Sequence, residues 1–371
     1  MRKSRTLAVV GISAVLVLSA CTTEEEPSDS SSDGGATENI TTTTCAAGDR
    51  IGVALPQQTS ENWTLAKNLF DESLTAAGFV PDVQFADAGT AVASQQSKAD
   101  NMLTNGAKVL VIGAEDGKQL GTQVSSAEAQ GVPVIAYDRP IDSVGTDYYI
   151  AYDNFKVGQL QGQALLDGMA DLKGESPYNI EIFAGAPTDA NAPVFYDGAM
   201  DVLQPKIDDG TLVVTSGQTD FNEVATEGWL KSKAQERMDN LITNFYNSGT
   251  DLSGVLSPND SLAEGILNAA TAASLTPVVT GQDSEVVAVQ RIAAGTQYST
   301  IYKDTRALVE KTVASIEEIC TGAVLETDDS FTWPDSGLVL PGIFLEPLIV
   351  TKENAAEVYA NDPTLLAAFQ G

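Results

Sequence analysis

The residues best equipped to do chemistry in this chain recur at the ends of short apolar runs. Pro56-Gln57-Gln58-Thr59-Ser60-Glu61-Asn62-Trp63 follows the run 51–55, Asp138-Arg139-Pro140 follows 132–137, and Asp153-Asn154 comes just after 148–151. Pro187-Thr188-Asp189-Ala190-Asn191 comes next, and Pro258-Asn259-Asp260, Gln282-Asp283 and Lys303-Asp304 close three later runs. Planar carboxylate, amide and guanidinium groups each reach two neighbouring hydroxyls, as acceptor, donor or either. An indole such as that of Trp63 covers the apolar C–H face of a pyranose while polar groups at the rim satisfy its hydroxyls. Together these groups suit a neutral polyol such as a sugar. Each one alone has an ordinary explanation, because Asp, Asn and Pro start turns and cap helices, and Asn154 and Asn191 both stand where a helix begins. Recurrence at nearly every strand end carries the reading.

Other chemistries lose ground on composition. The chain contains no histidine, which removes the commonest zinc ligand, the Ser-His-Asp and Cys-His relays and the usual general base at neutral pH. No spacing of oxygen ligands suggests calcium, so no metal and no cofactor are expected. Acidic residues number 51 against 20 basic, a formal net charge of -31, and such a surface repels nucleic acid. A glycoside hydrolase using two carboxylates, such as Asp138 and Asp283, is the enzymatic rival.

The elements that must position these groups follow a regular plan from Arg50 onward. β-Branched runs at 51–55, 83–85, 109–112 and 132–137 alternate with helical periodicity at 63–77, 91–105 and 118–130. A second series runs from 148 to 301, and a helix follows at 305–320. Such alternation signals βαβ units and a parallel sheet, hence an α/β fold. In open parallel sheets ligands bind beyond the carboxyl ends of the strands, where the polar groups lie. More than 320 residues of this pattern exceed one core, and no low-complexity linker interrupts it. Two lobes joined by strand-like crossings are therefore expected, with residues beyond 332 mostly extended.

The first residues carry a different message. Met1-Arg2-Lys3-Ser4-Arg5, an apolar run from 7 to 18, and Leu18-Ser19-Ala20-Cys21 are the parts of a bacterial export signal. The run is shorter than the roughly 20 residues of a membrane span. Residues 1–20 are read as a lipoprotein signal peptide, Cys21 as the lipid-bearing first residue of the mature chain, and 21–46 as a disordered tether rich in Thr, Ser, Glu, Asp and Gly. Outside the cytoplasm Cys45 and Cys320 either pair in a disulfide or remain as free thiols.

Several longer stretches resemble the periplasmic sugar-binding proteins of the ribose/galactose/xylose class, with the type I solute-binding fold. They are Tyr137-Asp138-Arg139, Tyr152-Asp153-Asn154-Phe155, Tyr196-Asp197-Gly198-Ala199-Met200, Leu256-Ser257-Pro258-Asn259-Asp260, Thr280-Gly281-Gln282-Asp283 and the run from Gln297 to Thr305. The likeness spans about 49–350 and is closest to the multiple-sugar-binding and xylose-binding proteins of ABC importers. It implies two Rossmann-like lobes, 47–152 with 304–332 and 153–303 with 333–371, joined by a hinge of three segments near 151–155, 301–304 and 331–337. By motif, Trp63 would stack on a monosaccharide, and Asp138, Arg139, Asn154, Asn191, Asn259 or Asp260, Asp283 and Lys303 would bond its hydroxyls. Trp229 would give a second aromatic platform. The implied partners are xylose, glucose, galactose or arabinose and the permease of an ABC importer, for a monomer that meets the membrane through its lipid alone. A sensor presenting the same sugar to a signalling receptor is the alternative. Glu61-Asn62 departs from the basic or small pair common at this place in the family.

Overall fold

The structure, a computed structural model, describes residues 40–327 and 329–371. Cys21, the leader at 1–20 and the tether up to residue 39 lie outside those residues. The first lobe runs β1 (Arg50–Leu55), α1 (Glu61–Ala76), β2 (Val80–Phe85), α2 (Ala91–Thr104), β3 (Ala107–Ile112), α3 (Gly121–Ala129), β4 (Val134–Tyr137) and β5 (Tyr148–Tyr152). The chain then builds the second lobe with α4 (Asn154–Lys173), β6 (Tyr178–Ile182), α5 (Asn191–Asp208), β7 (Leu212–Val214), α6 (Phe221–Val224), α7 (Lys231–Leu241), β8 (Gly254–Leu256), α8 (Asp260–Ala272), β9 (Val278–Val279), α9 (Val286–Ala294) and β10 (Ser299–Tyr302). It ends with α10 (Thr305–Ile319), β11 (Asp329–Thr332), β12 (Val339–Leu345), β13 (Leu348–Thr351), α11 (Ala355–Val358) and α12 (Pro363–Gln370). Among the described residues no helix is long and apolar enough to cross a membrane.

Side-chain alternation shows why the first sheet is covered on both faces. Ile51, Val53 and Leu55 of β1, Ile135 and Tyr137 of β4, and Tyr148, Ile150 and Tyr152 of β5 share one core, which is closed by α1 and α10. Their neighbours Ala54, Val134, Ala136, Tyr149 and Ala151 enter a second core on the opposite face. Strands buried on both faces read as continuous apolar runs, as these do. The strand order is β11-β12-β5-β4-β3-β1-β2, parallel except for the antiparallel pair β11 and β12. The second sheet, β7-β6-β8-β9, is parallel and is likewise buried on both faces. Tyr298 N–H donates to Val279 O, bringing β10 beside β9, and β10 pairs antiparallel with β13.

Two expected boundaries are corrected. Residues 333–345 belong to the first lobe, because β12 pairs in parallel with β5 and Leu340 enters the core of that face. Without β12 the ladder groups of β5 would stand open at an edge. The third crossing therefore lies at Glu346-Pro347, between β12 and β13, and 331–337 is part of a hairpin within one lobe. The other two crossings fall at Asp153 and at Lys303-Asp304, inside the expected segments. All three touch: Asp153 N–H donates to Leu345 O at 3.0 Å, and Tyr152 Oη donates to Asp304 O at 3.1 Å. The tail is also less extended than expected. Asp362 caps α12 through the Thr364 and Leu365 amides, with Pro363 at its first position.

Cys45 and Cys320 are joined by a disulfide, which ties the first described strand-like segment to the end of α10. Beside it Cys45 N–H donates to Cys320 O, and Thr44 bridges Thr321.

Candidate functional site

The carboxyl ends of the two sheets face one cleft. Its walls come from both lobes, with Asn62, Trp63 and Tyr137 on one side and Asn191, Phe195 and Asn259 on the other. Of the residues singled out from the sequence, the structure brings together Trp63, Asp138, Arg139, Asn191, Trp229, Asn259, Asp283 and Lys303 on its walls. Asn154 and Asp260 are not among them.

The first lobe and the second present one carboxylate each by the same device. Asp138 follows β4 with φ 61° and donates its N–H to Ile150 O at 2.8 Å; Asp283 follows β9 with φ 95° and donates to Ile301 O at 2.9 Å. A positive φ is unfavourable for a residue with a Cβ and persists where surrounding bonds enforce it. Here it turns the chain out of the strand direction just as each side chain enters the cleft. Trp229, φ 55°, is the third cleft residue so strained. Gly185 makes room for it, since a Cβ there would lie 2.1 Å from the indole.

Charge is concentrated in the centre. Lys303 Nζ lies 3.6 Å from Asp138 Oδ1 and 3.8 Å from Asp283 Oδ1, while Arg139 Nε sits 3.1 Å from Asp189 Oδ2. Asp189 Oδ2 also accepts from Trp229 Nε1 at 3.0 Å, and Arg139 Nη1 donates to Ala114 O at 3.1 Å. Burial pushes the Asp189 and Asp283 carboxyls up, opposed by Arg139 and Lys303 respectively. For Lys303 burial acts downward, yet Asp138, Asp283 and Asp189 outweigh it and hold the ammonium above its ordinary value. Three carboxylates against two cations leave an excess of acceptors, which suits ligand hydroxyls that donate.

Aromatic surface flanks this cluster. Trp63 packs edge-on against Tyr137 at 6.3 Å, and the Arg139 guanidinium lies 5.2 Å from its ring centroid. Across the cleft Phe195 meets Trp229 edge-on at 6.4 Å, with Lys303 Nζ 5.4 Å from the Phe195 ring. Phe195 is seated by close helix packing: a Cβ on Gly158 of α4 would lie 2.0 Å from Phe195 O, and one on Gly198 of α5 would lie 2.1 Å from Phe155 O.

Two expected contacts are corrected by the direction of their side chains. Asn154, first residue of α4, turns toward β5 and donates from Nδ2 to Tyr149 Oη at 3.1 Å, lining a separate hinge pocket with Phe155, Phe331 and Phe344. Asp260 is fully buried behind the cleft, where its carboxylate accepts from Gln297 Nε2 at 2.7 Å, Thr300 Oγ1 at 2.8 Å and Glu285 N–H at 3.0 Å. Its neighbour Asn259 keeps the cleft position and also caps α8 by accepting from Leu262 N–H. Asn191 lines the cleft with its amide already engaged, donating to Asp138 O at 2.7 Å and accepting from Tyr149 Oη at 3.0 Å.

Asp189, Phe195, Gln282 and Asn62 line the cleft as well but were not chosen from the sequence. Phe195 follows Asn191 by four residues, the spacing that puts two side chains on one helix face, so that signal was present. Asp189 and Gln282 stood within the polar stretches, whose facing side the sequence leaves open. Asp138 and Asp283, the two carboxylates of the hydrolase alternative, both face Lys303 as ion partners.

Comparison with known proteins agrees with this geometry. Residues 51–323 match the family described as Periplasmic binding protein domain. The multiple sugar-binding periplasmic receptor of Rhizobium radiobacter is 43% identical over 315 residues, covering 83% of this chain and 88% of the relative. The D-xylose-binding periplasmic protein of Escherichia coli is 32% identical over 316 residues, covering 84% and 90%. An ABC transporter solute-binding protein of Clostridium phytofermentans, solved with bound β-D-glucose, superposes with a TM-score of 0.80 at 38% identity, covering 86% of this chain and 100% of that one. A carbohydrate transporter solute-binding protein of Chloroflexus aurantiacus, in complex with D-glucose, gives 0.77 at 28% identity, covering 85% and 97%. With its type I fold, the chain belongs to the periplasmic binding protein family, beside the multiple-sugar-binding and xylose-binding proteins, and it is a solute-binding protein and not an enzyme.

Proposed function

We propose that this chain is an extracytoplasmic receptor for a monosaccharide, an aldose such as xylose, glucose, galactose or arabinose, which it hands to the permease of an ABC importer. One observation carries the reading: Asp138 and Arg139 of the first lobe, Asp283 of the second and the hinge Lys303 converge between Trp63 on one side and Phe195 and Trp229 on the other. In this reading the indole of Trp63 covers the C–H face of the ring and the charged groups replace the water shell of its hydroxyls. The sugar ties residues of both lobes and so shifts the hinge toward the closed form that a permease reads. A missing or inverted hydroxyl leaves a buried polar group unpaired, at roughly 1–3 kcal/mol, which supplies discrimination. A lipid on Cys21 would hold the receptor at the membrane face, with a tether that ends sooner than the expected 21–46, because Thr41 is bonded to Asp147, Thr44 bridges Thr321 and Cys45 is joined to Cys320.

Titration calorimetry of the mature protein with the four aldoses tests the ligand: saturable heat is expected from at least one, and none from any of them would end the proposal. The anchor is tested by Cys21→Ser, which should release the protein from the membrane fraction into the medium; continued membrane retention would refute it.

A further inference from the structure

Helix α9 begins without a cap of its own. Glu285 precedes it, yet that side chain makes no capping bond, and the first turn of α9 carries no acidic residue. An exposed or half-buried helix end left this way has donors without partners and a partial positive charge. The acceptor comes from the other lobe: Glu61 Oε2 accepts from Val286 N–H at 3.0 Å. Glu61 is itself the first residue of α1, whose Ser60 also makes no side-chain capping bond. Two helix N-termini thus meet across the mouth of the cleft, and one carboxylate stands at both. The next residue, Asn62, repeats the crossing by donating from Nδ2 to Asp283 O at 3.3 Å, which holds the strained turn that presents the Asp283 carboxylate.

We infer that Glu61 and Asn62 are a latch between the lobes, setting how slowly a bound ligand is released. Glu61 is a positioning residue that does not line the cleft. It acts on a state, the one in which α1 and α9 approach, and leaves ligand preference to the groups described above. Opening the lobes separates Glu61 from Val286 and leaves the α9 end without its acceptor, while Glu61 stays at the start of α1, so the carboxylate favours the closed form. The loss of a helix cap or of a charge at a helix N-terminus is typically worth a few-fold to tenfold in an equilibrium.

The inference rests on the proposed sugar receptor for its ligand, and its test separates the two. Release of the best aldose from the panel is followed by stopped-flow tryptophan fluorescence in the wild type, Glu61→Ala and Glu61→Gln. Glu61→Ala should speed dissociation about fivefold to tenfold with the association rate nearly unchanged and the order of preference among aldoses kept. Glu61→Gln, which retains an acceptor oxygen without the charge, should fall between. Equal dissociation rates in wild type and Glu61→Ala, or a changed order of preference, would overturn the latch. If no aldose binds, the receptor reading has failed, and hydrogen exchange at the Val286 amide still decides: faster exchange in Glu61→Ala than in wild type, at equal thermal midpoint, supports the latch, and equal exchange overturns it.

Discussion

Lys303 is the residue on which the cleft's electrostatics turn. It sits 9% exposed between Asp138 and Asp283, with Asp189 adding to the field that keeps it protonated. A buried ion pair broken from one side leaves charge without compensation, at about 3–5 kcal/mol. Lys303→Met should therefore destabilise the protein by about 3 kcal/mol in urea unfolding and weaken the best aldose at least tenfold; a variant of wild-type stability would show that the carboxylates are balanced elsewhere. A second titrating residue lies just behind the cleft. Burial first, then the neighbouring Asp283 and Glu61, pushes the Glu285 carboxyl up to about 7, with the Ser261 hydroxyl acting in the opposite direction. The folded state then holds a proton that the unfolded state has released, so stability falls as pH rises from about 4.5 to 7. Glu285→Gln removes this loss. It should match the wild type near pH 4 and exceed it by roughly 2–3 kcal/mol at pH 8, as read from urea midpoints at the two pH values.

At the scale of elements, the helix ends explain most of what the cleft contains. Asn259 and Asp260 are adjacent at the start of α8, and about 100° of helical turn between successive residues sends one to the cleft and the other into the interior. Asp153 and Asp304 cap α4 and α10 by accepting from Lys156 and Arg306 N–H, so the first two crossings are fixed by the same device. α10 starts at the hinge, packs on α1, and ends at Cys320, where the disulfide joins it to residues ahead of β1. That bond closes a loop across a sequence separation of 275, and such long loops gain most from closure, typically about 2–5 kcal/mol. Cys45→Ser with Cys320→Ser should lower the urea midpoint accordingly while leaving aldose affinity within twofold, because the pair is remote from the cleft walls. A loss of affinity with unchanged stability would place the bond in the binding mechanism instead.

For the molecule as a whole, the two lobes repeat one plan. β4-Asp138-β5-Asp153-α4 in the first corresponds to β9-Asp283-β10-Asp304-α10 at the end of the second, and each arm leads across the hinge. The α/β class, the order of strands and helices up to residue 320 apart from the one-turn α6, and the polar character of the strand ends were legible in the amino-acid sequence, because periodicity, caps and turn residues act over a few positions. Proximity along the chain could not reveal that β12 leaves the second lobe to pair with β5, which moved the third crossing to Glu346-Pro347. Nor could it decide that Asn154 turns to Tyr149, that Asn191 is already bonded across the lobes, or that Glu61 caps a helix 225 residues away. Those outcomes depend on which edge is open, which way a helix is rotated and what the facing lobe presents, and such long-range contacts exist only once the chain has folded.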